Sequence, residues 1–378
     1  SCLIHAEENV VLEDLPVAIV VSTLGFVLGA ICGGTAQRTN FCTMGAISDI
    51  VFMGDFNRFR SWMLATAIAI IGSQGLHAVG LIDLSQSIYL LTTLGWAGAI
   101  IGGLMFGFGM TMAGGCGNKT LVRLGSGNLK SLVVAIILGI FAYMTLRGLI
   151  GPVRLELEQL TNIDLKAAGI ESQAIADILA SVIAIEVGTL RLVVAAIFGG
   201  GLLIFCFKDP EFRNSPKNIF AGAVFGLAVV AGWYITGVIG NDDFEPVPLA
   251  SLTFIAPAGE ALQYLMTFTG STINFGIAVI GGVIVGSFVA AKVSGEFRIE
   301  FFVSGDDMIR HLYGAALMGT GGVLALGCTI GQGVTGMSTL GLGSLIALVS
   351  IVSGAVLGLK YIEEGSFNGA LAAVFGRN

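Results

Sequence analysis

The chain is poor in charge, histidine and proline. Of its 378 residues only 11% are Asp, Glu, Lys or Arg, three are His and seven are Pro. So little charge cannot clothe a soluble domain of this size, and the 55% apolar content would have no place in water. A basic excess is also lacking: 18 Lys and Arg stand against 25 Asp and Glu, a net charge of −7. That excludes the electrostatic footprint of a nucleic-acid binder. Hydrophobicity is too high for a disordered chain, and no Gly-X-Y period supports a collagen. Six cysteines, at 2, 32, 42, 116, 206 and 328, form no Cys-x-x-Cys pair. With His5, His77 and His311 lacking carboxylates at ligand spacing, no zinc or haem set emerges. No phosphate-binding loop, nucleophile elbow or Ser/His/Asp order is present. The chain therefore does not read as an enzyme, and no catalytic residue, metal or cofactor is assigned.

What is present is uninterrupted apolar length. Residues 84–118, 218–241, 261–291 and 311–359 contain no Asp, Glu, Lys or Arg. A span needs roughly 20 apolar residues, so a single helix over the 49 residues of 311–359 would overshoot a bilayer about twofold. The chain must turn within the membrane near Gly327–Gly343, which is tolerated only where the turn is buried in protein or lines a wet cavity. The expected class is an all-α polytopic membrane protein. Nine spans are predicted, near 16–36, 61–80, 91–112, 131–150, 188–207, 219–239, 271–291, 311–327 and 342–359. Shorter apolar pieces at 41–53 and 251–267 read as re-entrant helices. With the N-terminus outside and the C-terminus in the cytoplasm, 14 of the 18 basic residues fall on the cytoplasmic side, as the positive-inside rule demands. Segment 1–15 lacks the basic stretch and apolar run of a signal peptide. The acidic insertion 151–187 reads as an external surface helical hairpin without chemistry.

The chain also repeats itself. Residues 102–116 match 314–328 at Gly102/Gly314, Gly107/Gly319, Gly109/Gly321, Ala113/Ala325, Gly115/Gly327 and Cys116/Cys328. Further on, Leu124-Gly-x-Gly-x-Leu129 matches Leu340-Gly-x-Gly-x-Leu345, with four extra residues in the second copy. On the expected topology the two copies cross the membrane in opposite directions. The chain thus divides into an external segment 1–15, a first half 16–150, the insertion 151–187, a second half 188–360 and a cytoplasmic tail 361–378. Inverted repeats with interrupted helices are a transporter architecture that places substrate between the repeats.

Cys32 and Cys206 read as small packing residues. Cys42, Cys116 and Cys328 differ, because each sits where a span gives way to a Gly- or Thr-rich turn: Asn40-Phe-Cys-Thr-Met-Gly45, Gly114-Gly-Cys-Gly-Asn118 and Gly327-Cys-Thr-Ile-Gly331. Such junctions expose backbone N–H groups and a helix start, and so can hold an anion. Most of the 56 glycines serve close helix packing. Gly114, Gly115, Gly117, Gly327, Gly331 and Gly333 are expected to supply turn backbone. Lys119 and Arg123 share one helical face after Cys116 and act either as membrane anchors or as an attraction for anions.

Taken together, Arg38-Thr-Asn-Phe-Cys42, Gly115-Cys-Gly-Asn-Lys-Thr-Leu121, Phe225-Gly-Leu-Ala-Val-Val-Ala-Gly-Trp233, Ser294-Gly-Glu-Phe-Arg298 and Gly327-Cys-Thr-Ile-Gly-Gln-Gly-Val-Thr-Gly336 resemble the YeeE/YedE family of sulfur-compound transporters. Its best understood members import thiosulfate. The resemblance implies an inverted-repeat transporter in the bacterial inner membrane, with three essential cysteines on the permeation path, which map onto Cys42, Cys116 and Cys328. It also implies a small cytoplasmic sulfur-carrier partner of the TusA type. On this reading thiosulfate passes Cys328, then Cys116, then Cys42. Neutral thiols offer weak S–H donors, and Asn118, Thr329, Gln332 and Thr335 are candidate helpers. The alternatives are a membrane thiol oxidoreductase forming a disulfide or persulfide with substrate, and a transporter of a selenium species or another small anion.

Overall fold

A computed structural model describes residues 16–183, 186–242 and 245–376. Segment 1–15, with Cys2 and His5, lies outside the described residues. The helices are α1 (Val17–Thr39), α2 (Thr43–Met53), α3 (Asn57–Ala78), α4 (Trp96–Met112), α5 (Gly117–Gly125), α6 (Leu129–Arg147), α7 (Gly151–Thr161) and α8 (Ile175–Ile183). They continue with α9 (Val187–Phe207), α10 (Pro210–Arg213), α11 (Pro216–Tyr234), α12 (Ile255–Met266), α13 (Phe275–Ser294), α14 (Gly305–Leu324), α15 (Leu342–Glu364) and α16 (Phe367–Phe375). Their starts follow local chemistry. The Asn128 and Asn274 side chains accept from the first-turn N–H groups of Ser131 and Ile277, both bonds capping a helix entry, and Pro216 sits in the first turn of α11, where a missing N–H costs nothing.

The protein is an all-α polytopic membrane protein. Seven described stretches are long and apolar enough to cross a membrane: 17–53, 96–125, 129–147, 187–207, 216–239, 275–294 and 342–364. The other two expected spans, 61–80 and 311–327, are helical as α3 and α14 but less apolar. Both are sheltered, α3 by α9 and α11, α14 by α4 and α6. A helix screened from lipid on several sides can carry polar groups that a lipid-facing helix cannot. The expected span 91–112 begins later than predicted, at Trp96, because Thr93–Leu94 pairs as a short strand with Ile163–Asp164 of the insertion.

The packing is reciprocal. α1 packs on α13 and α3 on α11; α4 packs on α15 and α14 on α6; α2 meets α15 and α12 meets α6. Each contact maps onto its neighbour in that sequence when α1, α2, α3, α4 and α6 are exchanged with α11, α12, α13, α14 and α15. α9 has no counterpart in this exchange and lies against α3 and α8. At the α4–α14 crossing, a Cβ on Gly102 would lie 2.6 Å from the Gly321 carbonyl oxygen, and one on Gly321 would lie 2.6 Å from that of Gly102. In the same way a Cβ on Gly109 would lie 2.7 Å from the Gly314 carbonyl oxygen, and one on Gly314 would lie 2.6 Å from that of Gly109. Since Gly102 pairs with Gly314 in the sequence repeat, and Gly109 with Gly321, these are the isologous contacts that a two-fold relation produces.

Two turns of the repeat, around Gly127 and Gly343, lie at opposite ends of the bundle, joined by helices such as α4, whose 17 residues span about 25 Å. Each is covered by a strap of extended chain. Over the first, Arg298 N–H donates to the Ser126 carbonyl at 3.2 Å and Leu129 N–H to the Glu300 carbonyl at 3.0 Å. Over the second, Ile175 N–H donates to the Leu340 carbonyl at 3.0 Å and Leu342 N–H to the Gln173 carbonyl at 2.9 Å. The insertion is therefore more than the expected surface hairpin. Its Ser172, Gln173, Ala174 and Ala176 are buried against the second turn, because unpaired backbone at Leu340–Gly343 needs partners that water cannot supply there.

Candidate functional site

Three interrupted helices converge near the middle of the bundle. After α1 the chain turns through Asn40, in the left-handed region at φ 55°, and α2 restarts with Cys42 at its cap in an extended conformation. After α4 it turns through Gly114, at φ 71°, and α5 restarts with Cys116 at its cap. After α14 the equivalent left-handed position is Leu326, at φ 57°, followed by Cys328. Of the six glycines expected to supply turn backbone, only Gly114 uses the left-handed region. Gly331 and Gly333 are instead part of a π-helical turn, Gly331–Gly336, which absorbs residues of the longer second copy. They are small because a Cβ on Gly331 would lie 2.6 Å from Thr253 Oγ1 and one on Gly333 would lie 2.3 Å from the Trp62 ring.

All three cysteines are free and buried, with 8%, 2% and 1% of their surface exposed for Cys42, Cys116 and Cys328. The Cys42 and Cys116 thiols lie side by side, and Cys328 is buried in the same core cluster. The Gly45 and Lys119 backbone N–H groups approach the first two sulfurs, although neither closes a regular capping bond. Cys328 Sγ accepts from Gly331 N–H at 3.4 Å, with the Ile330 and Phe254 N–H groups also turned toward it. Phe254 caps α12 as Cys42 caps α2. The second half therefore offers a peptide N–H and an aromatic side chain where the first offers a second thiol. Cys32 and Cys206 stand apart from this cluster; Cys206 donates to the Arg60 carbonyl at 3.2 Å, in keeping with a packing role.

The candidate helpers fall into two groups. Thr329 and Asn118, next to Cys328 and Cys116, are fully buried, with Thr329 Oγ1 and Asn118 Oδ1 unpartnered. Thr335 is committed to the backbone, donating to the Leu252 carbonyl at 2.7 Å, and the Gln332 amide nitrogen donates to the Ala325 carbonyl, leaving its Oε1 unpartnered. Lys119 is 8% exposed, and its ammonium donates to Asn40 Oδ1 at 3.0 Å. Arg123 donates to the Gly114 carbonyl at 2.8 Å, which ties it to the turn before Cys116. Both cations line the same cavity beside Asn40. Residues that the sequence left unremarked also take part: Asn40 as the lysine's acceptor, Tyr89, whose hydroxyl lies against Gly331, and Gln173, whose Oε1 accepts from Gly343 N–H at 3.2 Å. Asn40 stands two residues before Cys42 and was legible in that motif; Gln173 lies in the insertion, and no motif marks it.

Free space is unequal at the two ends. On the Gly343 side, Tyr89, Gln173, Gln332 and Ser344 enclose about 20 Å³, room for about one water. On the Gly127 side a polar cavity of about 370 Å³ opens beside Lys119 and Arg123. The sulphur transport family matches residues 38–357, a range that contains Cys42, Cys116 and Cys328 and the residues lining both cavities except Gln37. The chain belongs to the sulphur transport family. Its relatives include a protein of Escherichia coli K12 named thiosulfate transporter TsuA, 28% identical over 323 residues that cover 82% of this chain and 86% of the relative. A protein of the same name from Spirochaeta thermophila is 27% identical over 316 residues, covering 83% and 90%. Membership agrees with the resemblance carried by the cysteine motifs, and the named relatives are transporters.

Proposed function

We propose that this member of the sulphur transport family imports thiosulfate across the bacterial inner membrane without chemically changing it. The N-terminus lies outside, the C-terminus and the Gly127 face lie in the cytoplasm, and the insertion 151–187 covers the outer mouth. The halves 16–150 and 188–360 are inverted repeats, with the ion passing between them from Cys328 to Cys116 to Cys42. The observation that carries this reading is the meeting of Cys42 and Cys116 at two helix starts, with Cys328 at a third, among buried polar atoms that have no partner.

An unpaired dianion in hydrocarbon would cost an idealised tens of kcal/mol, so the path has to replace its water. Backbone N–H groups at the restarted helices supply donors and a favourable dipole. The Thr329 hydroxyl and the Asn118 amide add side-chain contacts. Each thiol offers a weak S–H donor suited to the soft terminal sulfur, and weak serial contacts let the ion leave as readily as it enters. The outer void of about 20 Å³ is too small for the ion. Entry therefore requires the 172–176 turn to lift from Leu340–Gly343, and exit leads past Lys119 and Arg123 to a TusA-like carrier.

Uptake of radiolabelled thiosulfate into proteoliposomes tests the path. Single replacement of Cys42, Cys116 or Cys328 by Ala is expected to reduce it severely, and full uptake in all three variants would defeat the reading. The adjacency of Cys42 and Cys116 favours one rival: a thiol attacks the outer sulfur of thiosulfate, giving an enzyme persulfide and releasing sulfite. Mass spectrometry of protein trapped during turnover decides between them, since a one-sulfur adduct supports the persulfide and unmodified thiols support transport.

A further inference from the structure

We infer that the polar cavity on the Gly127 face is a second binding station, distinct from the cysteines, for a small inorganic dianion held by Lys119, Arg123 and Arg298. The cavity, of about 370 Å³, is lined by these three cations together with Asn40, Asn128 and others, and no cysteine faces it. Its charge is graded with depth. Lys119 is buried at the inner end, Arg123 is half-buried, and Arg298 is exposed at the rim with Glu296 and Glu300. Among the described residues, no carboxylate comes within ion-pair distance of Lys119, Arg123 or Arg298, whereas Lys130, also on the wall, is matched by Asp307 at 2.9 Å. The two rim carboxylates are occupied by amides: Glu296 accepts from Gln37 at 3.1 Å, and Glu300 from Asn128.

An ammonium that is 8% exposed and that, among the described residues, donates to one neutral amide oxygen bears a desolvation penalty that a mobile anion can offset. The two guanidinium groups that share this wall supply forked donors suited to sulfur-oxygen anions, Arg298 with both of its prongs and Arg123 with those not given to the Gly114 carbonyl. The volume admits such an ion with several of its waters, at about 30 Å³ for each water. Without a thiol in the wall, the station has no means of preferring a terminal sulfur over an oxygen. It therefore takes sulfate as well as thiosulfate, unlike the cysteine path. The inference rests on the proposed direction of transport, in which an ion leaving Cys42 arrives here before release.

Equilibrium dialysis of radiolabelled sulfate against the purified full chain in phosphatidylcholine nanodiscs tests it. The expected result is saturable binding that thiosulfate displaces, weakened about tenfold or more by Arg298→Gln and by Arg123→Gln, as loss of a charge-assisted contact requires. Arg298 is exposed, so its variant reports on the station even where Arg123→Gln fails to fold. No sulfate binding by the unaltered protein, or unchanged affinity in both variants, would overturn the inference. Nanodiscs rich in phosphatidylglycerol are expected to give the same affinity; abolished binding there would assign the cations to lipid headgroups and overturn it as well. Sulfate binding is read without transport. Bound sulfate in a protein that fails to take up thiosulfate would sink the transport reading alone, and thiosulfate uptake without sulfate binding would sink the station alone.

Discussion

Replacing Gly107 by Ala puts a methyl group 2.0 Å from the Ile351 carbonyl oxygen and 2.7 Å from the Ala355 nitrogen, atoms of the α15 backbone. Backbone cannot step aside as a side chain can, so α4 and α15 must separate by about 1 Å or more to restore van der Waals contact. Overpacking of this kind costs about 1–3 kcal/mol. The gain in helix propensity from Gly to Ala offsets up to about 1 kcal/mol of that. Gly319, the repeat partner of Gly107, meets α6 in the same manner, 2.5 Å from the Leu138 carbonyl oxygen, so Gly319→Ala should lose a similar amount. Gly200, in α9, has nothing within 4 Å of its added Cβ, and Gly200→Ala should be neutral or slightly stabilising. Thermal unfolding of the detergent-solubilised protein, followed by size-exclusion chromatography, reads all three. At about 2–4 °C per kcal/mol for a domain of 150–250 residues, and less for a larger one, a drop of a few degrees is expected for the first two and none for the third. Equal melting of Gly107→Ala and the unaltered protein would refute the packing argument. A drop for Gly107→Ala without one for Gly319→Ala would refute the reciprocity of the halves.

Thr335→Val strands the buried Leu252 carbonyl and should destabilise by about 1–3 kcal/mol, whereas Thr329→Val removes a hydroxyl that has no partner and should leave melting unchanged or raised while lowering thiosulfate uptake. Gln173→Ala frees Gly343 N–H, loosens the strap over that turn by about 1 kcal/mol and should raise uptake where entry limits the rate; slower uptake at normal expression would contradict the proposed lifting of the turn. The Lys130 ammonium, 2.9 Å from Asp307, holds that carboxyl below its usual range. A lowered folded pKa contributes stability above the unfolded value of about 3.9 and loses it as pH falls through the folded value. The melting temperature of the unaltered protein should therefore fall more steeply below about pH 4 than that of Asp307→Asn, and parallel curves would remove the role given to this pair.

Much of this was legible in the residues because membrane physics leaves few solutions. Charge-free length forced spans, and the overlong run 311–359 forced the break at Cys328, which appears as a left-handed Leu326 followed by a π-helical turn. The short apolar pieces became α2 and α12 because eleven and twelve helical residues cannot cross a bilayer. The adjacency of Cys42 and Cys116 was not legible, since it arises where two helix caps 74 positions apart meet through packing of α1, α5 and α13. The buried turn of the insertion escaped for a related reason. Its pairing with Leu340–Gly343 is made by backbone and by one glutamine, and neither leaves a periodic trace in sequence. Gly331 and Gly333 were expected to relieve backbone strain, but what they relieve is crowding against Thr253 and Trp62, which only the tertiary contacts reveal.

The central claim is that a sulfur anion travels between the thiols of the two halves. The most direct measurement is an experimental structure of the protein equilibrated with thiosulfate, with anomalous scattering used to locate sulfur. The account predicts a two-sulfur peak between Cys328 and the Cys42–Cys116 pair, within hydrogen-bond distance of the backbone at Gly331. Thiosulfate bound only at the surface, with the three thiols closed on one another and no ion between them, would contradict it.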